Sequence, residues 1–371
     1  MSSARPTVGV VTPRTGRLAE LGAPLAFAAE RMRSTLGDRV RIVERDSRSA
    51  PDPARRAVDE LAGSDRADVV VTLAGTSVLP AVAGRCEELG VPCVSSTFPW
   101  QAYCGDRTGP FTWTYHFSWG IDDIAATFAD LWEAAGGRRT VGCLWNAGPQ
   151  GCWLRREFPA AIADRGHRLV RAEPHDEPAA DFTPQIEEFA RAGVEVVTTA
   201  GTREDLELFR RQCSELGFAP ELITSSRWLT YPRSATAAGV GTLVYWTPRH
   251  PHRSSVDGTT AAELAEEYER STGEQWLQPL GLAHALFEVA VHALESADPA
   301  QPRAIADALA AAQVETIAGP IDWPAGPVPN IATVPLAGGQ WQPGGRHGCE
   351  LRVVSNRRCP DVPADADVLP A

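Results

Sequence analysis

The side chains best suited to gripping a small molecule gather where apolar runs of this chain give way to hydroxyl and amide residues. Gly75-Thr76-Ser77 closes one such run, and Ser96-Thr97-Phe98, followed by Trp100, closes another. Asn146 with Gln150, then Thr202, then Ser226-Arg227-Trp228 close three more. Gly75 lets backbone come close to a ligand, and a helix starting near Thr76 would aim unpaired N–H groups and the positive end of its dipole at an anion. The same residues also fit a capped helix N-terminus with no ligand. Arg227 is the cation of the set. It can clamp a carboxylate through two parallel hydrogen bonds, or sit in a salt bridge.

Residues 97–120 are dense in rings: Phe98, Trp100, Tyr103, Phe111, Trp113, Tyr115, His116, Phe117 and Trp119. They read either as a hydrophobic plug under a loop or as the lining of a cleft. Such density outside helix or strand spacing favours the lining, which makes His116 a ligand-binding candidate as well. His116, Cys104, Cys152 and Asp122 also invite a catalytic triad, but no G-x-S-x-G elbow accompanies them, and a lone histidine among rings is more often packed than catalytic. The chain therefore reads as non-catalytic.

Composition excludes further chemistry. All 35 basic residues are arginine. Schiff-base lysines, a pyridoxal-phosphate anchor and a phosphate-loop lysine are therefore ruled out. No cofactor is implied. The formal charge of −12 disfavours nucleic acid and anionic membrane as partners. No run approaches the length of a membrane span, so membrane insertion is not expected. Met1–Pro6 leads almost directly into a first strand without a secretion-signal pattern. A chain complete from Met1 would be cytoplasmic, and one that has lost a leader would be extracytoplasmic. The eight cysteines contain no CxxC pair, so a structural zinc site is not expected, and Cys349 could pair with Cys359 in an oxidising compartment.

The elements that must position these residues come in a doubled rhythm. Five strand-like runs, Thr7–Thr12, Arg39–Asp46, Ala67–Gly75, Val91–Ser96 and Thr112–Phe117, alternate with helices, and five more follow from Thr140 to Thr247. Parallel strands need crossovers, so the alternation implies two α/β lobes, each a doubly wound parallel sheet covered on both faces. At 371 residues two domains are the natural division. Helices after residue 250 lack intervening strands, which suggests that the chain returns to the first lobe through multiple hinge crossovers. The expected lobes are residues 1–118 with 251–325, and 121–247 with 330–371. A cleft between lobes is a natural ligand site, and the candidates above all sit at or just beyond C-terminal strand ends, where open α/β sheets bind ligands.

Several motifs in order carry a resemblance. They are Val8–Gly22 (VGVVTPRTGRLAELG), Asp52-Pro53, Gly75-Thr76-Ser77 with Pro80-Ala81, and Gly90-Val91-Pro92 with Ser95-Ser96. Tyr245–Ser255 (YWTPRHPHRSS), Thr272–Trp276 (TGEQW) and Gly319–Trp323 (GPIDW) follow. Together they resemble the type I periplasmic binding proteins of the leucine/isoleucine/valine class, the substrate-binding components of ABC importers. The resemblance implies a ligand carboxylate held at Gly75, Thr76, Ser77, Ser96 and Thr97, and an ABC permease as partner. Where amino-acid binders of the class usually carry an acidic residue, this chain has Ser226, and where an aromatic often lies over the ligand it has Gln150. The expected ligand is thus a small molecule with a carboxylate and an aromatic or apolar body, not a zwitterionic amino acid. The other readings are a cytoplasmic ligand sensor built on the same fold and, further off, an enzyme evolved from it.

Overall fold

The computed structural model describes residues 5–107, 109–227 and 238–370. The chain divides into two compact units, Met1–Trp119 with Trp246–Val334 and Gly120–Tyr245 with Pro335–Ala371, so it passes between them at 119/120, 245/246 and 334/335.

The first unit is built on β1 (Thr7–Thr12), β2 (Arg41–Asp46), β3 (Val69–Leu73), β4 (Cys93–Ser96) and β5 (Thr114–Ser118), joined by a late strand, β13 (Ile331–Thr333). The sheet order is β13-β5-β4-β3-β1-β2 and all its pairings are parallel. β1, β3 and β4 are buried along their whole length, as expected of apolar strands covered on both faces. The order reverses at β1, so right-handed crossovers put α1 (Ala19–Leu36) on the face opposite α2 (Pro51–Ala62) and α3 (Leu79–Leu89). α2 packs with α3, and α1 packs with α10 (Pro279–Ser296), a helix apolar nearly all round and buried accordingly. α4 (Trp100–Cys104), α9 (Ala261–Thr272), α11 (Pro302–Ala310) and the hairpin of β11 (Gln313–Thr316) with β12 (Gly319–Asp322) complete it.

β13 corrects the expected boundary. The sequence division placed residue 330 onward in the second lobe, yet Ile331 pairs with His116, and the His116 N–H donates to Asn330 O at 2.9 Å. A strand near Ile331 is legible in sequence, but its lobe is not, and the parallel pairing with β5 decides where it goes.

The second unit holds β6 (Thr140–Leu144), β7 (Arg168–Arg171), β8 (Val196–Thr199), β9 (Leu222–Ser225), β10 (Val240–Val244), β14 (Ala337–Pro343) and β15 (Cys349–Ser355), in the order β15-β14-β10-β9-β8-β6-β7. α5 (Ile121–Ala134), α6 (Pro149–Ala161), α7 (Thr183–Ala192) and α8 (Arg203–Leu216) cover it. Its sheet is mixed, because β14 runs antiparallel to both β10 and β15. The sequence reads 323–345 as rich in Pro and Gly, with late strands near Ile331–Pro335 and Glu350–Ser355, which β13 and β15 match. Gly338 and Gly339 lie inside β14, where β10 and β15 supply hydrogen bonds from both sides. Among the described residues no helix is long and apolar enough to cross a membrane.

Candidate functional site

In the first unit the candidate residues lie beyond the ends of β3 and β4. α3 begins at Leu79 and not near Thr76, because Gly75 O accepts both Val78 N and Leu79 N and closes a turn ahead of the helix. The amides of Thr76 and Ser77 donate no hydrogen bond among the described residues, Thr76 is half-buried and Ser77 exposed, and the Ser77 hydroxyl accepts from Arg17 Nη2 at 3.5 Å. Leu18 lies over Gly75, where an added Cβ would stand 3.1 Å from its Cδ1. Beyond β4, Thr97 adopts φ 102°, a region that β-branched residues avoid. Its hydroxyl reaches back to Ala74 O at 3.1 Å and so ties the end of β4 to that of β3. A strained non-glycine residue at a strand end is the kind of outlier that functional sites retain.

Three first-unit candidates are turned inward. Ser96 is fully buried and its hydroxyl donates to Phe117 O at 2.7 Å. Phe98 is buried against Tyr103 and His116, whose ring centroids lie 6.3 and 5.8 Å away. His116 is fully buried and stacks on Tyr103 at 4.3 Å. Its Nε2–H donates to Phe98 O and its Nδ1 accepts from Ser95 Oγ, both at 2.9 Å. Burial pushes its pKa down to about 4, so the ring is neutral. It is a brace for the Phe98 corner rather than a ligand contact or a base. The aromatic segment is therefore largely core: Phe98, Tyr103, Phe111, Tyr115, Phe117 and Trp119 are all buried. Trp100 is half-buried against this core, and its N–H donates to Trp119 O at 3.0 Å.

In the second unit Asn146, two residues beyond β6, is the hub. It is 2 % exposed. Its Oδ1 accepts from Gly148 N at 3.0 Å and Gly151 N at 3.2 Å at the start of α6. Its Nδ2 donates to Glu177 Oε1 at 2.8 Å and, more weakly, to Ala200 O at 3.5 Å. Gly151 is required here, since a Cβ would stand 1.9 Å from Asn146 O. Gln150 reaches from α6 and donates to Ser226 Oγ at 3.3 Å. Arg227 Nη1 donates to Glu177 Oε1 and, at 3.2 Å, to Ala200 O. The structure thus brings Asn146, Gln150, Ser226 and Arg227 together. Thr202 follows on the same strand end, but its hydroxyl is committed to capping α8 by accepting from Asp205 N at 3.2 Å. Trp228 lies outside the described residues.

Sequence reading missed Glu177 and His175. The sequence leaves Arg227 either as a carboxylate clamp or in a salt bridge without naming a partner, and the structure pairs it with Glu177. Fifty residues separate the two, and the only local cue was the acidic run after His175. His175 itself is buried and pairs as a bridge with Asn146, and neither ring nitrogen has a hydrogen-bond partner among the described residues. Burial lowers its pKa, against the pull of the Asp205 and Glu177 carboxylates.

Of the cysteines, Cys152 lies at the start of α6, where its Sγ donates to Ala147 O at 3.5 Å. All eight cysteines are free thiols, Cys349 and Cys359 included. Half-burial raises the Cys104 thiol above its ordinary pKa. A cavity of about 240 Å³ lined by Arg39, Ser255, Glu288, His292 and Glu315 lies on the side of the first unit where β2 begins, away from the strand ends.

Two α/β units with three chain crossings, and polar residues gathered beyond the C-terminal ends of their parallel strands, define the type I periplasmic binding protein fold. The chain belongs to the periplasmic binding protein family, whose model matches residues 6–345. A leucine-binding protein from Thermotoga maritima superposes with a TM-score of 0.77 at 18 % identity, over 95 % of this chain and 99 % of that one. An ABC-transporter solute-binding protein from Rhodopseudomonas palustris, solved with 3,4-dihydroxybenzoic acid, gives 0.73 at 18 % identity over 98 % of each chain. Another from R. palustris, solved with benzoate, gives 0.73 at 16 % identity over 97 % of each. A search of curated protein sequences finds no match.

Proposed function

We propose that this protein binds a small carboxylate with an aromatic or apolar body and delivers it to an ABC permease as a substrate-binding component, without catalysis. The observation that carries the reading is the Arg227 guanidinium, held by Glu177 and Ala200 O at the strand ends of the second unit, where Glu177 also accepts from Asn146. The free amides of Thr76 and Ser77 in the first unit suit an anion for the same reason. The benzoate complexes of the two Rhodopseudomonas proteins are consistent with that ligand class, and family membership supports binding over chemistry. Delivery to a permease would also place the protein outside the cytoplasm, which fractionation of the native host would check.

A thermal-shift and calorimetry panel of benzoate, 4-hydroxybenzoate, 3,4-dihydroxybenzoate, leucine, valine and benzamide tests this. A saturating benzoate should stabilise the protein by about 2–4 kcal/mol. Tight binding of leucine or valine, or indifference to every carboxylate, would overturn the reading.

A further inference from the structure

We infer that Glu177 is a specificity-determining positioning residue: it pins one end of the Arg227 guanidinium so that the other edge is presented to a planar, two-oxygen acceptor on the ligand. The inference rests on the carboxylate reading above and deepens it.

The geometry is a three-point anchor. Glu177 Oε1 accepts from Arg227 Nη1 and also from Asn146 Nδ2 at 2.8 Å. The same Nη1 donates to Ala200 O at 3.2 Å. Nη1 is thus fixed by the loop after β7 and by the end of β8, while Asn146, beyond β6, steadies the carboxylate that holds it. Nε and Nη2 have no hydrogen-bond partner among the described residues. A guanidinium is planar and delocalised, so fixing one terminal nitrogen orients the whole fork. The Nε/Nη2 edge carries two parallel N–H bonds, the arrangement that a carboxylate accepts bidentately.

Charge sharpens the argument. Arg227 and Glu177 are both about one-quarter exposed, 25 % and 26 % for their side chains. Their charges cancel locally, so this corner exerts little net pull on anions in general. Selection then depends on the direction of the two free N–H bonds, and a flat carboxylate matches them better than a round anion such as chloride does.

Two measurements test it. Arginine side-chain ¹⁵N spectra of the ligand-free protein, assigned with Arg227→Lys, should show restricted rotation of the Arg227 guanidinium. That restriction should be lost in Glu177→Ala and partly kept in Glu177→Gln, whose amide oxygen still accepts. Calorimetry with benzoate should show affinity falling on the order of 10-fold in Glu177→Ala and less in Glu177→Gln, with chloride competition becoming stronger in the alanine protein. Urea midpoints show whether either variant has lost its fold, and Glu177→Gln, closest in shape, keeps the test open if the alanine protein has. An Arg227 signal that is already averaged in the unmodified protein, or unchanged in Glu177→Ala, would overturn the inference whatever the ligand. Benzoate affinity that stays within twofold would do the same. So would a Glu177→Gln protein that loses leucine while keeping benzoate, since Glu177 would then be holding an ammonium directly. If the unmodified protein binds no carboxylate, the proposed function falls and the spectra still decide whether Glu177 pins Arg227.

Discussion

Replacing Asn146 should separate its two duties, because its amide serves as acceptor on one side and donor on the other. In Asn146→Ala, Gly148 N and Gly151 N at the start of α6 lose their acceptor, at 3.0 and 3.2 Å respectively. Losing a side-chain cap of this kind costs about 1 kcal/mol. Glu177 also loses a donor at 2.8 Å. A hydrogen bond to a charged group contributes about 1.5–3 kcal/mol, so the total is about 3 kcal/mol, with little dependence on pH. Asn146→Asp keeps the acceptor but sets a second carboxylate oxygen against Glu177. Two carboxylates in contact cannot both ionise freely, so the pKa of the new group rises in the folded state. A folded pKa raised above the unfolded value means stability that is present at low pH and lost as pH rises. The aspartate protein should therefore approach the unmodified one near pH 5 and fall behind it by a few kcal/mol near pH 8. Urea unfolding at several pH values, followed by tryptophan fluorescence, measures this. An aspartate protein whose deficit is the same at every pH, or an alanine protein that loses less than about 1 kcal/mol, would refute the reasoning.

Two further outcomes follow from buried groups of the first unit. His116, His250 and His284 are all buried, and burial pushes their pKa values down to about 4, 3 and 3. Groups with depressed pKa values contribute stability above about pH 6.5 that is lost as pH falls, so the free energy of unfolding should drop by about 1.5–2 kcal/mol per histidine between pH 6.5 and 5, and a flat profile would show that these rings accept protons in the folded state. Gly281 faces the Trp246 ring so closely that an added Cβ would stand 2.2 Å from it, and the Trp246 indole, fully buried, donates to Ile317 O at 3.2 Å. Gly281→Ala should cost about 1–3 kcal/mol or more by displacing that ring, read as a lowered melting temperature with altered near-ultraviolet dichroism; an unchanged melting curve would mean that the ring has room to move.

What the sequence determined by itself is the alternation of strand and helix, and with it the strand ends where polar residues collect. Val69–Leu73 and Thr7–Thr12 are legible because an apolar run bounded by turn residues is a local signal, and the stripe of Leu206, Phe209, Cys213 and Leu216 along α8 is equally local, although Leu216, at the helix end, is exposed. Asn146, Gln150, Ser226 and Arg227 were reached in the same way, from their positions just past such runs. α6 is not legible in sequence, because Pro149, Gly151 and Pro159 disfavour a helix, yet Pro149 occupies the first helical turn and Gly151 fits under Asn146. Only the tertiary structure decided which polar groups are already spent. Ser96 and His116 look available in sequence, yet each satisfies a carbonyl inside the first unit, because a buried donor must find an acceptor wherever the packing provides one. Arg227 reads in sequence as a clamp or a salt-bridge partner, and only the fold shows that Glu177, in the loop after a different strand, meets it. No periodicity encodes such a meeting. It depends on β7 lying beside β6 and β9 beside β8, a pairing order set by the sheet as a whole.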